Sequence, residues 1–368
     1  MPEKDDWTKR CLVITGTGKS GTSLLMDLID GHPNVVVYPD EPYFRDVFAR
    51  KYKNKAHLLV DIKIGTANPM HKPKKAFVET ITAYNPVARR NPVELNDILI
   101  QNTLSLNELD GELRSKDPAA LKSKVSFDFE LYFDKMNELV EKQFSSLSDL
   151  MTAMIVATVD ASSLDSARLK WWAFKDAAFY KFDTFFSLYL EGKAIIIVRD
   201  PHAQYLSVMT EAGKQHGGFL ELVRTVVWWQ AGVVTQLKLQ EEYGEERIMV
   251  LYYEDLVSEP NQQMRRVAGF LGIEYDEAMT TPTRFGVPNT VSTSTQDGGD
   301  RVYRESAAKW KTKLHFWEKY MIDVLTYRTA KKMGYSPAYK SVVASLANKA
   351  LTPLLLLAEL VFLYREVR

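Results

Sequence analysis

Cysteine is almost absent from this sequence of 368 residues. The one cysteine, Cys11, lies in an apolar run, so the chain can form neither an internal disulfide framework nor a cysteine-ligated metal site. The six histidines are scattered without the spacing of metal ligands. The first ten residues are charged and contain no apolar targeting run. We therefore expect no bound metal and a reducing, cytoplasmic location.

An excess of charge of either sign is also missing. The chain has 47 Lys plus Arg and 47 Asp plus Glu, which gives a formal net charge of +0. A protein without an overall positive field has no general attraction for nucleic acid. We expect no nucleic-acid partner, and any anion site must be local.

Apolar runs long enough to span a membrane are missing as well. The longest stretch, from Leu351 to Leu363, is interrupted by Pro353 and Glu359 and is shorter than the ~20 residues that a spanning helix needs. We predict an amphipathic helix over 341–368. Its docking on the chain's own fold, on a second subunit as a homodimer, or on a membrane surface as a peripheral contact stays open.

Continuous aliphatic runs alternate with helical patterns along the chain, which predicts an α/β fold. The predicted strands are 11–15, 34–38, 58–64, 169–174, 194–198 and 247–252, and the predicted helices are 20–31, 201–213, 218–242, 260–271 and 306–334. The alternation favours a three-layer α/β/α, P-loop-like fold with a central parallel sheet and ligands at the carboxyl ends of its strands. We interpret 1–340 as one domain, in which 65–166 is either a helical cap insertion or a set of ordinary peripheral helices.

The stretch "VITGTGKSGTSLL", Val13 to Leu25, resembles a triphosphate-binding loop but lacks one of its glycines. Such a loop needs a glycine five residues before Gly18, and Val13 stands there. What remains is a shorter strand-loop-helix turn, in which the start of a helix and Lys19 offer N–H groups and a positive charge to an anion. The turn predicts phosphate or sulfate binding by Gly18, Lys19, Ser20, Gly21, Thr22 and Ser23.

A second candidate anion site follows the run "AIIIV" in "AIIIVRDPHAQYLSVM". Arg199 ends this strand, and Pro201 suits the first turn of the helix that carries Ser207. The eight residues from Arg199 to Ser207 cover about two helical turns, so both side chains can converge on one phosphate. A magnesium-binding strand would instead place an acid directly after the apolar run.

Together these segments resemble the PAPS-dependent sulfotransferases, where PAPS is 3′-phosphoadenosine 5′-phosphosulfate. That family carries "(K/R)SGT(T/S)" and then "RDP" with a serine eight residues after the arginine, as in "KSGTS" and the Arg199/Ser207 pair here. The likeness continues, in the family's order, through "DGHPNVVVYPDEP", "FKDAAF", "YYEDLVSEP", "FLGI", Trp310 and "KMGYSP". The pattern is closest to the tyrosylprotein, carbohydrate and bacterial branch, although that branch commonly has arginine in place of Lys19.

The resemblance implies a role for each matching residue. Lys19 and the N–H groups from Ser20 to Ser23 would bind the 5′-phosphosulfate, and Arg199 with Ser207 would bind the 3′-phosphate. Glu41 would be the general base, and Lys175 would contact the transferring sulfate.

Three further positions are less defined by the pattern. Ser294, or Ser292 as the alternative, would close over the nucleotide. Tyr253 would either contact the nucleotide or pack in the core. Some relatives carry a basic residue one helical turn after the serine, but this chain has Glu211, so the phosphate would depend on Lys214 or on the 284–304 loop.

The implied activity is transfer of a sulfuryl group from PAPS to a small-molecule hydroxyl acceptor, an alcohol, phenol or sugar, with no metal. In-line transfer needs a positioned hydroxyl, a base and cations near the leaving phosphate. Two alternatives stay open on the residues alone: a small-molecule kinase with a degenerate phosphate loop, and a non-catalytic nucleotide-binding interaction module.

Overall fold

Five parallel strands form the central sheet in the part of the chain that the computed structural model describes. The described residues are 7–38, 131, 135, 147–162, 164–177, 180, 182–284, 287–288, 304–339 and 342–362. The strands of the sheet are β1 (Cys11–Gly16), β2 (Val35–Val37), β3 (Trp171–Lys175), β4 (Lys193–Val198) and β5 (Ile248–Tyr252). A separate antiparallel pair consists of β6 (Thr283–Arg284) and β7 (Val287–Pro288).

Helices cover the sheet and extend beyond it. They are α1 (Thr22–Ile29), α2 (Leu147–Asp160), α3 (Phe182–Leu188), α4 (Pro201–Glu211), α5 (Phe219–Tyr243), α6 (Tyr253–Ser258), α7 (Pro260–Leu271), α8 (Trp310–Lys313), α9 (Phe316–Lys332) and α10 (Val342–Phe362). Short 3₁₀ turns lie at Trp7–Lys9, Glu277–Thr280 and Arg304–Ala307.

The strand order is β2-β3-β1-β4-β5, and it places a crevice between β1 and β4. The chain leaves β1 toward β2 and β3 on one side, and it later leaves β4 toward β5 on the other side. Such a reversal of direction opens a crevice at the carboxyl ends of the two strands. Because β1 and β4 pair in register with Gly16 opposite Ile197, the segments after both strands border this crevice.

The sheet is buried on both faces, which gives the three-layer arrangement. Along β1, Cys11 and Val13 pack into one apolar cluster with side chains of α2, α3 and α5. Leu12 and Ile14 point the other way, into a second cluster with side chains of α1, α6 and α7. All four are fully buried, as expected for a strand that is covered on both faces. The predicted three-layer α/β fold with a central parallel sheet is confirmed.

A third apolar cluster joins the helices beyond the sheet. It contains side chains of α4, α5, α8, α9 and α10, among them Tyr205, Trp310 and Leu355. Asn348 fastens α10 to α9, since its buried side-chain amide donates to the carbonyls of Val324 and Leu325 at 2.7 and 3.2 Å. The described part of the 341–368 segment is therefore a helix that packs on the chain's own fold.

Two predicted elements differ from the structure or lie outside it. The single helix predicted over 306–334 is wrong: the chain is extended at Leu314, and α9 begins anew at Phe316. The Glu318 carboxylate accepts the N–H of His315 at 2.8 Å, and this cap starts the new helix. The strand predicted over 58–64 lies outside the described residues.

The predicted insertion 65–166 is described only in part. Its last helix, α2, packs on the central sheet through Met151, Met154 and Ile155. The two interpretations of 65–166, a helical cap or ordinary peripheral helices, stay predictions. In the described ranges, no helix combines the length and the apolar character that crossing a bilayer would require.

Candidate active site

The loop Thr17–Gly21 turns sharply between β1 and α1 at the edge of the β1/β4 crevice. A side chain at Gly16 would place its Cβ 2.3 Å from Ser20 Oγ and 2.4 Å from the Ile197 carbonyl oxygen, so glycine is required there. Gly21 has a φ of +110°, and a Cβ on it would lie 2.3 Å from the ring of Tyr253. The two glycines let the loop fold tightly against β4 and α6.

Lys19 lies at the tip of this loop in a left-handed backbone conformation. Its φ is 66°, which is uncommon for a residue other than glycine and typical of functional loops. Its carbonyl oxygen accepts a hydrogen bond from the Arg199 guanidinium at 3.1 Å. Its ammonium group lies 2.8 Å from a carboxylate oxygen of Glu211. The predicted anion-binding lysine is thus next to the predicted anion-binding arginine.

The backbone donors of the loop are only partly available to a ligand. The N–H of Ser20 donates to the Thr17 carbonyl at 3.0 Å, so this predicted donor is engaged inside the turn. Helix α1 begins at Thr22, and Gly21 at its N-cap provides no side-chain hydrogen bond. The first turn of α1 therefore has no side-chain cap for its N–H groups, which leaves them as candidate donors to an anion.

Arg199 is buried at the carboxyl end of β4 and is held from several sides. Its guanidinium stacks on the Tyr253 ring at 4.1 Å and donates to the Ser306 carbonyl at 3.3 Å. The Tyr253 hydroxyl lies 2.6 Å from the Ser306 hydroxyl, and Trp229 donates to the Arg199 carbonyl at 3.0 Å. Arg199 Nε is buried and has no hydrogen-bond partner among the described residues.

Ser207 lies on the face of α4 that points toward the loop. The positions 204, 207 and 211 are three and four residues apart, so their side chains share one face of the helix. Gln204 on this face accepts a hydrogen bond from the Thr17 hydroxyl at 2.8 Å, and Glu211 pairs with Lys19. Ser207 lies between these two contacts. Its hydroxyl is buried and finds no partner within the described ranges.

Lys175 approaches the loop from the other neighbour of β1. It is the last residue of β3, and its ammonium group donates to the Ser23 hydroxyl in the first turn of α1 at 3.2 Å. Arg199 and Tyr253 therefore contact the loop that carries Lys19, Ser207 lies on the helix face that borders it, and Lys175 contacts the first turn of α1. Glu41, Ser292 and Ser294 lie outside the described residues, so their predicted positions stay predictions.

A buried polar network lies behind Arg199 and holds the start of α4. Asp200 caps the helix by accepting the N–H groups of His202 and Ala203 at 2.8 and 3.3 Å. His202 lies between Asp200 and Asp323, at 3.1 and 3.2 Å, and stacks on Trp310 at 4.3 Å. Burial alone would lower the pKa of His202, but the hydrogen bonds and charges of the two carboxylates raise it to about 9.

Glu254 connects this network to Tyr335 in the motif "KMGYSP". Its carboxylate accepts the Asp200 N–H at 3.0 Å and the Tyr335 hydroxyl at 2.9 Å. Burial raises the pKa of Glu254, while these hydrogen bonds act in the opposite direction. The motifs "YYEDL" and "KMGYSP" therefore support the backbone next to Arg199.

Sequence reasoning missed two residues of the site. Gln204 contacts the loop and Ser306 contacts Arg199. Gln204 lies between Arg199 and Ser207 in their motif, but the motif gives it no role, and each contact joins residues that are far apart in sequence. Lys214, one candidate for the phosphate, lies 2.8 Å from Glu221, and its role stays a prediction.

The topology and the loop define a P-loop-like α/β protein whose crevice has cations and open donors on both sides. The sequence profile of the sulfotransferase family matches residues 12–277, which is most of the chain. The chain belongs to the sulfotransferase family, and the predicted resemblance is confirmed.

The chain is also similar to curated proteins and to solved structures. It is 31% identical over 91 residues to protein-tyrosine sulfotransferase A of Caenorhabditis elegans, which covers 24% of each chain. It is 27% identical over 130 residues to protein-tyrosine sulfotransferase of Drosophila melanogaster, covering 33% of this chain and 26% of that protein. The matches thus span about a quarter of these relatives. A sulfotransferase domain from the curacin biosynthetic pathway aligns with a TM-score of 0.49 and 15% identity, over 88% of this chain and 97% of that one.

Proposed function

We propose that the protein transfers the sulfuryl group of PAPS to a hydroxyl acceptor and releases adenosine 3′,5′-bisphosphate (PAP). Membership of the sulfotransferase family supports the reaction class. The curated relatives act, by their names, on protein tyrosine, and this makes a phenolic hydroxyl one acceptor to test.

One observation carries the proposal: on both sides of the crevice, buried polar atoms have no hydrogen-bond partner among the described residues. They are Ser20 Oγ in the loop, Arg199 Nε at the end of β4 and Ser207 Oγ on α4. Leaving such an atom unpaired costs about 1–3 kcal/mol, so native proteins rarely do so without a ligand, ion or water. Two of these atoms belong to an arginine and a serine, which together suit the oxygens of a phosphate. The residues present therefore fit a nucleotide with two separate anionic groups.

The cations of the site suit a reaction in which negative charge develops on a leaving phosphate. PAPS supplies the activated sulfuryl group. Lys19 at the tip of the loop would bind the 5′ end and stabilise the charge on the leaving oxygen, and Arg199 with Ser207 would hold the 3′-phosphate. Lys175 adds a second positive charge beside the first turn of α1. Glu41 is proposed as the base that accepts the acceptor's proton.

A paired binding experiment tests the phosphate assignment. Calorimetry would compare PAP with AMP, which lacks the 3′-phosphate, in the wild type and in Ser207→Ala. Removing a hydrogen bond to a charged group costs about 1.5–3 kcal/mol, so PAP should bind ~10–100-fold more weakly to the variant while AMP changes little. Thr210→Ala on the exposed side of the same helix is the matched control.

The activity itself is tested with labelled PAPS and a panel of alcohols, phenols, sugars and tyrosine peptides. Transfer to one class, lost in Lys19→Ala, would support the proposal. Failure of the wild type to bind PAP at all would refute it.

Cytoplasmic location is also part of the proposal. The proposal is supported by the single thiol, Cys11, which is fully buried in β1 and whose pKa burial raises well above the ordinary value, as for a thiol that stays reduced. Imaging of a fluorescent fusion in the source cells would test the location.

A further inference from the structure

The carboxylate of Glu211 forms an ion pair with the ammonium group of Lys19. The distance between the two groups is 2.8 Å, and the exposed fractions of the side chains are 15% for Lys19 and 56% for Glu211. An anion that binds Lys19 competes with this carboxylate for the same positive charge, although the three N–H donors of an ammonium group allow more than one partner. The contact therefore bears directly on ligand binding.

The position of Glu211 on α4 makes the contact part of the site. Glu211 lies one helical turn after Ser207 on the same face of the helix, and Gln204 on that face is bonded to Thr17. The acid thus lies at the end of a row that faces the loop. Its nearest basic neighbour in sequence, Lys214, is bonded to Glu221 at 2.8 Å, so Lys19 is the cation with which Glu211 pairs.

We propose that Glu211 is a built-in competing anion that holds Lys19 when the nucleotide is absent and is displaced when the nucleotide binds. The proposal rests on the assignment of the loop to nucleotide binding. Because the carboxylate is more than half exposed, it can turn into solvent at low cost when an anion arrives. The carboxylate returns to Lys19 as the product leaves. It therefore lowers the affinity of the site for PAP and speeds the release of PAP.

The variant Glu211→Gln tests this, since it keeps the size of the side chain and removes its charge. Loss of the ion pair that competes for Lys19 should tighten PAP binding by about fivefold. The effect should shrink at high salt, because the groups involved are partly exposed. Calorimetry measures the affinity, and product inhibition by PAP should become stronger in parallel.

Two controls separate this mechanism from a general charge effect. Glu221→Gln removes an acid of the same sign that pairs with Lys214, and it should leave PAP affinity unchanged. In a Lys19→Ala background, adding Glu211→Gln should give almost no further tightening, because the competition acts through Lys19.

The outcomes are distinct for the inference and for the proposed function. If the wild type binds PAP and Glu211→Gln binds it no more tightly, Glu211 is a structural ion-pair partner only, and the inference is overturned. The same holds if tightening persists without Lys19. If the wild type does not bind PAP, the assignment of the loop fails, and the inference fails with it.

Discussion

Removal of the His202 imidazole should change how folding stability depends on pH. His202 is buried between the carboxylates of Asp200 and Asp323, below the stacked ring of Trp310. Burial favours the neutral ring, but the two carboxylates outweigh burial and raise the pKa of His202 to about 9. At neutral pH the ring is therefore protonated, and it joins the start of α4 to α9.

The magnitude and sign follow from the difference between the folded and unfolded pKa values. A pKa of about 9 in the folded protein against an ordinary value of 6.5 corresponds to about 3 kcal/mol of folding free energy. Below the unfolded pKa the ring is protonated in both states, so the contribution is complete. It declines as the pH rises from 6.5, and it is lost above the folded pKa of about 9.

The assay is urea unfolding followed by tryptophan fluorescence at a series of pH values from about 6 to about 10. The free energy of unfolding of the wild type should fall as the pH rises across this range. That of His202→Gln should be lower than the wild-type value at about pH 6 and should change little up to about pH 10. His216→Gln, which replaces a histidine outside this carboxylate pair, should keep the decline.

The reasoning would be refuted if the free energy of unfolding of the wild type stayed constant or rose with pH over this range. It would also be refuted if the same fall with pH persisted in His202→Gln. If that variant does not fold, the titration of the His202 ring in the wild type, measured by NMR, provides a second check. An apparent pKa near or below the ordinary 6.5 would contradict the argument.

Two further predictions concern the loop and the last helix. Gly21→Ala should lower the free energy of unfolding by about 2–4 kcal/mol, since a Cβ at a φ of +110° would meet the Tyr253 ring. Gly18→Ala is the control: its Cβ meets nothing within 4 Å, so it should cost far less in the same unfolding assay. Asn348→Ala should lower the free energy of unfolding by about 1–3 kcal/mol and speed amide hydrogen exchange in α10, because two hydrogen bonds to α9 are lost. Equal exchange rates in this variant and in Thr352→Ala would contradict that role of Asn348.

Most of the sheet could be predicted because its strands carry their own signal. Runs such as Ile195–Ile197 are apolar on both faces, and a strand covered on both sides needs that composition whatever its neighbours are. No comparable sequence pattern marks the break in the helix predicted over 306–334. Leu314 and His315 are ordinary residues for a helix, and the break depends on the Glu318 cap and on the packing of Trp310 against His202.

In the site, too, the residues in local sequence patterns could be predicted, and the contacts between distant segments could not. The glycines and Lys19 form a local pattern, and Arg199 with Ser207 forms another, so both could be identified from spacing. The contacts of Glu211 with Lys19 and of Ser306 with Tyr253 join segments 192 and 53 residues apart. Their positions depend on the whole α/β arrangement, so the residue types alone could not indicate them.

Val13 shows why the loop differs from a triphosphate loop. In such a loop the first glycine begins the turn, but here the strand continues through this position. Val13 is fully buried, and it pairs with Phe174 of β3 and Ala194 of β4. The chain leaves β1 only after Gly16, so just Thr17–Gly21 remain for the turn before α1 begins at Thr22. A turn this short cannot wrap backbone N–H groups around the β-phosphate of a triphosphate. The proposed second anion would then bind at Arg199 and Ser207, whose buried Nε and Oγ have no partner among the described residues.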